Sequence, residues 1–301
     1  MNRLKTRLGK LHFESPVTVA SGTFGTEYFD FFDQRILGAY VSKTITYEPK
    51  AGNPPPRLYE TEAGLINSIG LQNPGIDVFI KSSLPELREK LYIPLVVSFS
   101  GSSITEFCAM LEMLEISEGI DGYEVNVSCP NVENEGIAFG TDPDTVFELT
   151  QKLSAITNKE LIIKLSPNVS DIATIAIAAE AGGASSLALI NTLFGMAIDI
   201  ETGKSRIKKG VGGYSGTGIK PVALALTYKA ARAVKIPILA MGGIYTWQDA
   251  LEFFYAGASM IALGTANFIN PIAAAEAHHG LDVYLAQRDL RLKDIVGKVN
   301  G

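Results

Sequence analysis

A complete strand–helix–strand unit is predicted for residues 161–190, which read LIIKLSPNVSDIATIAIAAEAGGASSLALI. Leu161–Lys164 and Ser185–Ile190 are short apolar runs. Asp171–Ala181 between them has the apolar spacing of a helix, with Ser170 or Asp171 as its N-cap. Both runs are apolar nearly throughout and do not alternate with polar residues, which indicates strands of a parallel sheet covered on both faces.

The same unit recurs along the whole chain. Apolar runs predict eight strands, at Val17–Ala20, Ala39–Lys43, Pro94–Ser98, Gly122–Asn126, Leu161–Lys164, Ser185–Ile190, Pro237–Met241 and Ser259–Leu263. Helical patterns follow most of them, at Asp77–Lys90, Ile104–Ile116, Pro143–Ile156, Asp171–Ala181, Lys220–Val234 and Thr246–Ala256. Eight strand–helix units predict an α/β fold of the (β/α)8 type, the TIM barrel, for which roughly 250 residues are typical.

The surplus residues predict additions to one barrel domain that spans residues 1–301. An N-terminal hairpin at Lys5–Glu14 is expected to plug the barrel bottom, and segments 44–76 and 191–219 are expected to form long loops at the carboxyl-terminal face. The alternative is a doubly wound open sheet, which normally shows a glycine-rich dinucleotide turn after its first strand. Ser21–Gly25 follows the first predicted strand and lacks the G-x-G-x-x-G spacing.

Composition restricts the kinds of partner. The chain has 301 residues, 47% of them hydrophobic, and a net charge of −6 without any basic run, which argues against nucleic-acid binding. Cys108 and Cys129 are too few for a disulfide framework and lack metal-ligand spacing, so reduced thiols, no metal site and a cytoplasmic location are expected. No uninterrupted apolar stretch reaches about 18 residues, so no membrane-spanning helix is expected.

Polar residues and glycines stand where the predicted strands end, which is where barrel enzymes place their chemistry. These residues are Ser21, Lys43, Ser98, Asn126, Lys164, Asn191, Gly242-Gly243 and Gly264-Thr265. A lysine at a barrel mouth loses solvation unless a ligand or partner offsets the loss. Glycines after the last two strands free backbone N–H groups for a phosphate. Together these features predict a phosphorylated cofactor, and a cation near the N1–C2 edge of a flavin would stabilise its reduced anion.

The hexapeptide NVSCPN at residues 126–131 contains the candidate catalytic residue. Cys129 lies outside the strand and before a proline, which fits a buried structural thiol badly. No histidine is near these motifs, so a Cys–His nucleophile is unsupported, while a thiolate general base remains possible. The loop from Asn67 to Gly75 and the pair Asn191-Thr192 add amides and hydroxyls that could hold the edges of an imide ring.

The chain resembles the class 1 dihydroorotate dehydrogenases, which are FMN-containing (β/α)8 barrels of pyrimidine biosynthesis, and it is most similar to the class 1B catalytic subunits. The resemblance covers nearly the whole chain. It is carried by motifs that include Ala20-Ser21-Gly22, Lys43-Thr44, Asn67 to Gly75, Asn126 to Val132, Phe139 to Pro143, Asn191-Thr192, Ser215-Gly216, Met241 to Ile244 and Gly264 to Phe268. It implies oxidation of (S)-dihydroorotate to orotate, in which C6 gives a hydride to FMN and Cys129 takes the proton from C5.

Binding roles follow from the same resemblance. The implied substrate residues are Lys43, Asn67, Ser68, Ile69, Gly70, Leu71, Asn126, Asn131, Asn191 and Thr192. The implied residues for FMN, one per chain, are Ser21, Lys43, Thr44, Ser98, Asn126, Lys164, Ile190, Gly216, Gly242, Gly243, Gly264 and Thr265. Ser98 stands where the family usually has asparagine, so a bridging water or a modest change in flavin potential is expected there.

A second subunit is also implied by the class 1B resemblance; it carries FAD and a 2Fe-2S cluster and passes electrons to NAD. A homodimeric core is expected to join it as a heterotetramer, without membrane contact. Three alternatives stay open. Fumarate could be the terminal acceptor, as in class 1A; a related flavin barrel could act on another pyrimidine; or the chain could be a flavin-binding subunit without turnover.

Overall fold

The computed structural model describes residues 2–128 and 139–299. Within them the strands are β1 (Thr6–Leu8), β2 (Leu11–Phe13), β3 (Val17–Val19), β4 (Tyr40–Val41), β5 (Leu58–Thr61), β6 (Gly64–Asn67), β7 (Leu95–Phe99), β8 (Gly122–Asn126), β9 (Glu160–Lys164), β10 (Ser186–Leu189), β11 (Leu193–Gly195), β12 (Gly212–Ser215), β13 (Ile238–Met241) and β14 (Met260–Leu263). The eight predicted strands all form at their expected places.

Eight of these strands are parallel and form one sheet in the order β3-β14-β13-β10-β9-β8-β7-β4. Its two edges meet, because the Gly38 amide donates to the Val17 carbonyl at 2.8 Å and the Thr18 hydroxyl donates to the Ala39 carbonyl at 2.7 Å. The predicted (β/α)8 barrel is therefore confirmed, and the open doubly wound sheet is not the fold.

The apolar strands bury both of their faces, as a covered parallel sheet requires. On β9, Ile162 points into the barrel and packs with residues such as Val96 and Leu239, whereas Leu161 and Ile163 point outward into the layer beneath the helices. The alternation of side chains along each strand thus produces two cores, one inside the barrel and one between barrel and helices.

The helices of the described residues surround the barrel. They are α1 (Ile76–Val78), α2 (Leu84–Lys90), α3 (Ile104–Glu115), α4 (Pro143–Ile156), α5 (Ile172–Ala181), α6 (Lys220–Ala233), α7 (Trp247–Ala256), α8 (Ala266–Ile269) and α9 (Ala273–Gln287). Asp171 is the N-cap of α5, since its carboxylate accepts from the Ala173 amide at 3.1 Å, and Thr246 caps α7 in a capping box with Asp249. None of them is long and apolar enough to cross a membrane.

Two helical features differ from the sequence prediction. The helix expected at Asp77–Lys90 is divided into α1, a π-helical turn at Phe79–Ser83 and α2. Pro85 in the first turn of α2 has no N–H for an i→i−4 bond, which favours a wider turn before it. The alanine-rich helix α9 was not predicted, and it packs against α7 and β3 as the last outer helix of the barrel.

The predicted N-terminal hairpin is formed by β1 and β2, which pair antiparallel. Its side chains Leu8 and Phe13 belong to the inner core and fill the amino end of the barrel. The Lys10 amide donates to the carboxylate of buried Glu160 at 2.6 Å, and the Ser186 hydroxyl donates to the other oxygen at 2.5 Å. The hairpin is therefore attached to the barrel bottom by apolar packing and by this carboxylate.

The two segments expected to be long loops contain further strands. β5 and β6 come from the first segment, β11 and β12 from the second, and together they form a four-stranded antiparallel sheet in the order β11-β12-β6-β5. Both segments are long additions to the barrel, as expected, and the strands within them were not predicted from the sequence. The strands are short and half-buried, so the apolar pattern that identified the barrel strands is weak there.

We expect Glu160→Gln to become more stable relative to the wild type as pH rises from about 4.5 toward neutrality. Burial raises the pKa of Glu160 above its usual 4.5, and the hydrogen bonds from Ser186 and Lys10 offset this only in part. A carboxyl whose pKa is higher in the folded state contributes stability at low pH that is lost as pH rises through the folded pKa, and glutamine removes that loss.

Urea unfolding of both proteins across this pH range measures the difference. Glu14→Gln is the control, and its stability relative to the wild type should fall as pH rises. The reason is that hydrogen bonds from Lys5 and Asn2 lower the pKa of the exposed Glu14 carboxyl. A stability difference between Glu160→Gln and the wild type that stays constant with pH would contradict the expectation.

Candidate active site

A cavity of about 760 Å³ opens at the carboxyl ends of the barrel strands. Every described residue of the predicted site lines it except Ser98. These residues are Ser21, Lys43, Thr44, Asn67, Ser68, Ile69, Gly70, Leu71, Asn126, Lys164, Ile190, Asn191, Thr192, Gly216, Gly242, Gly243, Gly264 and Thr265. Cys129 and Asn131 lie outside the described residues. The volume is within the range of about 300–1,000 Å³ usual for sites that bind cofactors or substrates.

Lys43 and Lys164 give this cavity a positive wall. Lys164 ends β9 and is 5% exposed; its Nζ donates to the Ser21 hydroxyl at 2.9 Å and lies 3.4 Å from the Glu124 carboxylate. Desolvation, and then the charge of Lys164, lower the pKa of Lys43. Among the described residues Lys43 has no ion-pair partner. A bound anion would supply that partner, so the wall is suited to a negatively charged ligand.

Gly22 makes room for the Lys43 side chain. Its φ is +74°, and a Cβ at this position would lie 2.8 Å from the Lys43 Nζ. Any side chain at residue 22 would therefore displace the lysine or strain the turn after β3. The glycine in the Ala20–Gly22 motif thus positions a charged side chain that comes from the neighbouring strand.

Amide side chains from two strand ends are already bonded to each other. The Asn191 amide donates to the Asn126 carbonyl oxygen at 3.2 Å and to the Ser128 hydroxyl at 2.9 Å. The Ser128 amide in turn donates to the Asn126 side chain at 3.2 Å. Ser128 lines the cavity and was not assigned a role from the sequence, although it lies within the NVSCPN motif. The group presents donors and acceptors in a fixed arrangement.

The loop after β6 is fixed by a buried asparagine. Asn73 accepts from the Thr46 and Gly75 amides at 3.1 and 2.8 Å and donates to the Thr46 hydroxyl at 2.8 Å and to the Leu71 carbonyl at 2.7 Å. Leu71 lines the cavity with a φ of +52°, a strained conformation for a residue with a side chain. Such strain is typical of functional loops that the surrounding structure holds in place.

One hydroxyl of this wall lacks a protein partner. The Ser68 Oγ is buried, and no residue in the described part of the chain forms a hydrogen bond with it. Asn67, its neighbour, donates to the Gly213 carbonyl at 3.2 Å and so joins the loop to β12. A buried hydroxyl without a partner costs free energy, which a polar ligand in the cavity would recover.

Glycines form the opposite end of the cavity. Gly216, Gly242 and Gly243 have φ values of +108°, +121° and +80°, and a Cβ on Gly243 would lie 2.8 Å from the Lys220 backbone nitrogen. Thr265 donates its hydroxyl to Ser215 at 2.8 Å on the same side. Backbone without side chains at the ends of the seventh and eighth barrel strands is the usual phosphate-binding arrangement of such barrels.

Ser98 does not line the cavity, although the sequence placed it among the cofactor-binding residues. It is fully buried in β7, its hydroxyl donates to the Glu124 carboxylate at 2.8 Å, and the Thr44 hydroxyl lies 2.9 Å away. Serine is too short to reach past these partners, so Ser98 supports the wall from behind. Glu124 was not singled out from the sequence, although a carboxylate within an otherwise apolar strand was a visible signal.

These residues fit an anionic ligand that combines a phosphate with a polar planar part. The lysines supply charge, the glycines supply backbone donors, and the amides and the Ser68 hydroxyl supply hydrogen bonds. A parallel-stranded ring with this chemistry at its carboxyl rim is typical of (β/α)8-barrel enzymes.

Comparison with known proteins identifies the family. The family model for dihydroorotate dehydrogenase matches residues 3–285. A "Dihydroorotate dehydrogenase B (NAD(+)), catalytic subunit" from Thermoanaerobacter pseudethanolicus is 48% identical over 299 residues, which are 98% of each chain. Proteins of the same name are 46% identical in Alkaliphilus metalliredigens, over 98% of each chain, and in Geobacillus kaustophilus, over 90% of this chain and 87% of the relative. The chain therefore belongs to the dihydroorotate dehydrogenase family.

Gly243→Ala is expected to lower the midpoint of thermal unfolding, because its φ of +80° disfavours any side chain by about 1–2 kcal/mol and its Cβ would contact Lys220 and Gly216. Gly264→Ala is the matched control on the same wall. Its φ lies outside the left-handed region and its Cβ would make an ordinary contact with Ala20 at 3.6 Å, so little change is expected. Equal midpoints of thermal unfolding for the two variants would contradict the conclusion that the backbone at Gly243 cannot accommodate a side chain.

Proposed function

We propose that this chain oxidises (S)-dihydroorotate to orotate in the de novo synthesis of UMP, with one bound FMN as the hydride acceptor. The observation that carries the proposal is that Lys43, Asn67, Asn126 and Asn191 line one cavity. Gly216, Gly242 and Gly243 line the same cavity at its glycine-rich end. The names of the relatives support the same reaction, since they are called dihydroorotate dehydrogenases.

Substrate binding follows from charge and hydrogen-bond matching. Orotate is a carboxylate attached to an imide ring, and Lys43 offers it a wall lysine that has no carboxylate partner among the described residues. Asn67, Asn126, Asn191 and Thr192, with the loop from Ser68 to Leu71, offer alternating donors and acceptors for the ring edges. Asn131, which follows in the NVSCPN motif, is proposed for the same task.

The residues proposed to hold FMN form the remaining walls. They are Ser21, Lys43, Thr44, Asn126, Lys164, Ile190, Gly216, Gly242, Gly243, Gly264 and Thr265, with Ser98 acting from behind through Thr44. FMN supplies a two-electron acceptor when it is bound. The glycines suit its phosphate and Lys164 suits its polar ring edge, while the apolar side chain of Ile190 excludes water.

Cys129 is proposed as the general base that removes the C5 proton. Its neighbour in the sequence, Ser128, lines the cavity and is bonded to Asn191 at 2.9 Å. A proton leaving C5 while a hydride leaves C6 requires a base beside the ring, and a thiolate has suitable basicity at neutral pH.

We also propose a partner subunit. The relatives are named catalytic subunits of an NAD(+) enzyme, which supports a second chain that takes electrons from this one. In the proposal that chain carries FAD and a 2Fe-2S cluster and reduces NAD, and two copies of each chain form a heterotetramer around a homodimeric core. The barrel is proposed to act as a single domain in the cytoplasm.

The visible spectrum of the purified chain tests the reaction. We expect a yellow protein whose flavin absorbance bleaches when dihydroorotate is added without oxygen. A colourless protein that takes up no FMN, or a yellow one that dihydroorotate leaves unbleached, would overturn the proposal. With the partner subunit present, NAD and fumarate as acceptors for the reduced enzyme then distinguish a class 1B from a class 1A reaction.

Cys129→Ala is expected to slow bleaching by dihydroorotate about 10²- to 10⁴-fold, the usual contribution of a positioned base. FMN content should stay unchanged. Cys108→Ala is the matched control, because Cys108 lies in α3 outside the cavity and its loss should leave the rate of bleaching near that of the wild type. Stopped-flow absorbance measures both rates, and rapid bleaching of Cys129→Ala would remove the cysteine from the mechanism.

A further inference from the structure

Glu124 is a buried carboxylate directly behind the cavity wall. Its side chain is 1% exposed, in the middle of β8. One carboxylate oxygen, Oε1, accepts from the Ser98 hydroxyl at 2.8 Å and lies 3.4 Å from the Lys164 Nζ. The other oxygen, Oε2, is buried and has no hydrogen-bond partner among the described residues.

A carboxylate in this environment is not expected to stabilise the barrel. A buried ion pair is often no more stabilising than apolar residues of similar volume, because both charges lose their hydration. A buried oxygen without a partner adds a further cost. Glu160, the other fully buried glutamate of residues 2–128 and 139–299, differs in this respect, since both of its oxygens accept hydrogen bonds. The unfavourable environment of Glu124 therefore points to a role in the site.

Hydrogen bonds connect Glu124 to the wall on both sides. Thr44 contacts Ser98, Ser98 donates to Glu124, and Lys164 bridges Glu124 and Ser21. Thr44, Lys164 and Ser21 line the cavity, while Ser98 and Glu124 do not. The chain of contacts crosses four neighbouring strands of the ring and ends on the turn after β3. Glu124 thus acts on a ligand only through the residues that it holds.

The charges of this layer are unequal. Lys43 and Lys164 both face the cavity, and Glu124 is paired with Lys164 alone. Within the described residues, Lys43 has no such partner. At this degree of burial a charge on one side chain is felt several ångströms away, because little water screens it. The Glu124 carboxylate therefore sets how much positive electrostatic potential Lys164 contributes in the cavity.

We propose that Glu124 is a positioning residue that fixes Lys164 against the cavity wall and cancels part of its charge, so that Lys43 has the larger effective charge of the two wall lysines. The inference rests on the proposed binding of FMN in this cavity. When FMN is bound, a partly neutralised Lys164 would stabilise added negative charge on it only moderately, and the substrate carboxylate would be directed to Lys43.

The test replaces Glu124 by its neutral isostere in the FMN-loaded chain and titrates sulfite. Sulfite adds to N5 of oxidised flavin, the adduct is an anion, and its formation bleaches the visible band without any turnover. Glu124→Gln leaves Lys164 uncompensated, so we expect sulfite to bind at least about tenfold more tightly. The flavin midpoint potential should rise in the same variant, because the same charge stabilises the reduced anion.

Glu160→Gln is the matched control. It also removes a buried carboxylate from the barrel interior, but Glu160 begins β9 and Lys164 ends it, so about 13 Å of strand separates them. Its sulfite dissociation constant should stay within about twofold of that of the wild type. If Glu124→Gln changes only thermal stability or FMN retention and leaves sulfite affinity and potential unchanged, Glu124 is merely structural and the inference is overturned.

Glu124→Asp covers the case in which the glutamine variant does not fold. It retains the charge but withdraws the carboxylate from Lys164 by one methylene, so sulfite should bind more tightly than in the wild type and less tightly than expected for glutamine. Unchanged or weaker binding in a folded, FMN-loaded Glu124→Asp would overturn the inference. A wild type that binds no FMN would instead overturn the proposed function, so the two failures are distinguishable.

Discussion

Closure of the parallel sheet is the constraint on which the site depends. Because all eight strands run in one direction and their edges meet between Val17 and Gly38, every carboxyl end reaches the same rim. Residues far apart in the sequence, such as Ser21 and Lys164, thereby come within hydrogen-bond distance at 2.9 Å. The apolar interior cannot solvate charge, so polar groups at the rim must bond to one another or to a ligand.

The barrel interior contains buried carboxylates at both ends, and each is accommodated differently. Glu160 at the amino end is held by neutral donors, the Ser186 hydroxyl and the Lys10 amide. Glu124 near the carboxyl end has a lysine as its partner, and its second oxygen has no hydrogen-bond partner in the part of the chain that the structure describes. Neutral donors satisfy the hydrogen-bonding capacity of a carboxylate without adding a positive charge. A lysine that also faces the cavity instead couples the carboxylate to the ligand bound there. The first arrangement suits a structural attachment and the second suits a site.

Much of the fold could be predicted because its signals are local. The run Leu161–Lys164 needs only its neighbours to be interpreted, and so does the helix cap, which the sequence assigns to Ser170 or Asp171. The structure has the strand at this run and the cap at Asp171. The antiparallel sheet depends on pairing between segments about 150 residues apart, as between Asn67 and Gly213, and no local pattern specifies that pairing. Ser98 illustrates a third case: it lies in the predicted strand, one residue before the strand ends, but whether it faces the cavity depends on the partners that surround it.

The antiparallel sheet also has an evolutionary consequence. β6 from segment 44–76 pairs through its backbone with β12 from segment 191–219, and the Asn67 side-chain amide donates to the Gly213 carbonyl. Ser215 at the end of β12 is bonded in turn to Thr265. A chimera that combined segment 44–76 of one relative with segment 191–219 of another would pair strands that are not matched to each other. Exchange of one segment alone would therefore break this pairing, and the sheet is retained only when both segments are exchanged together.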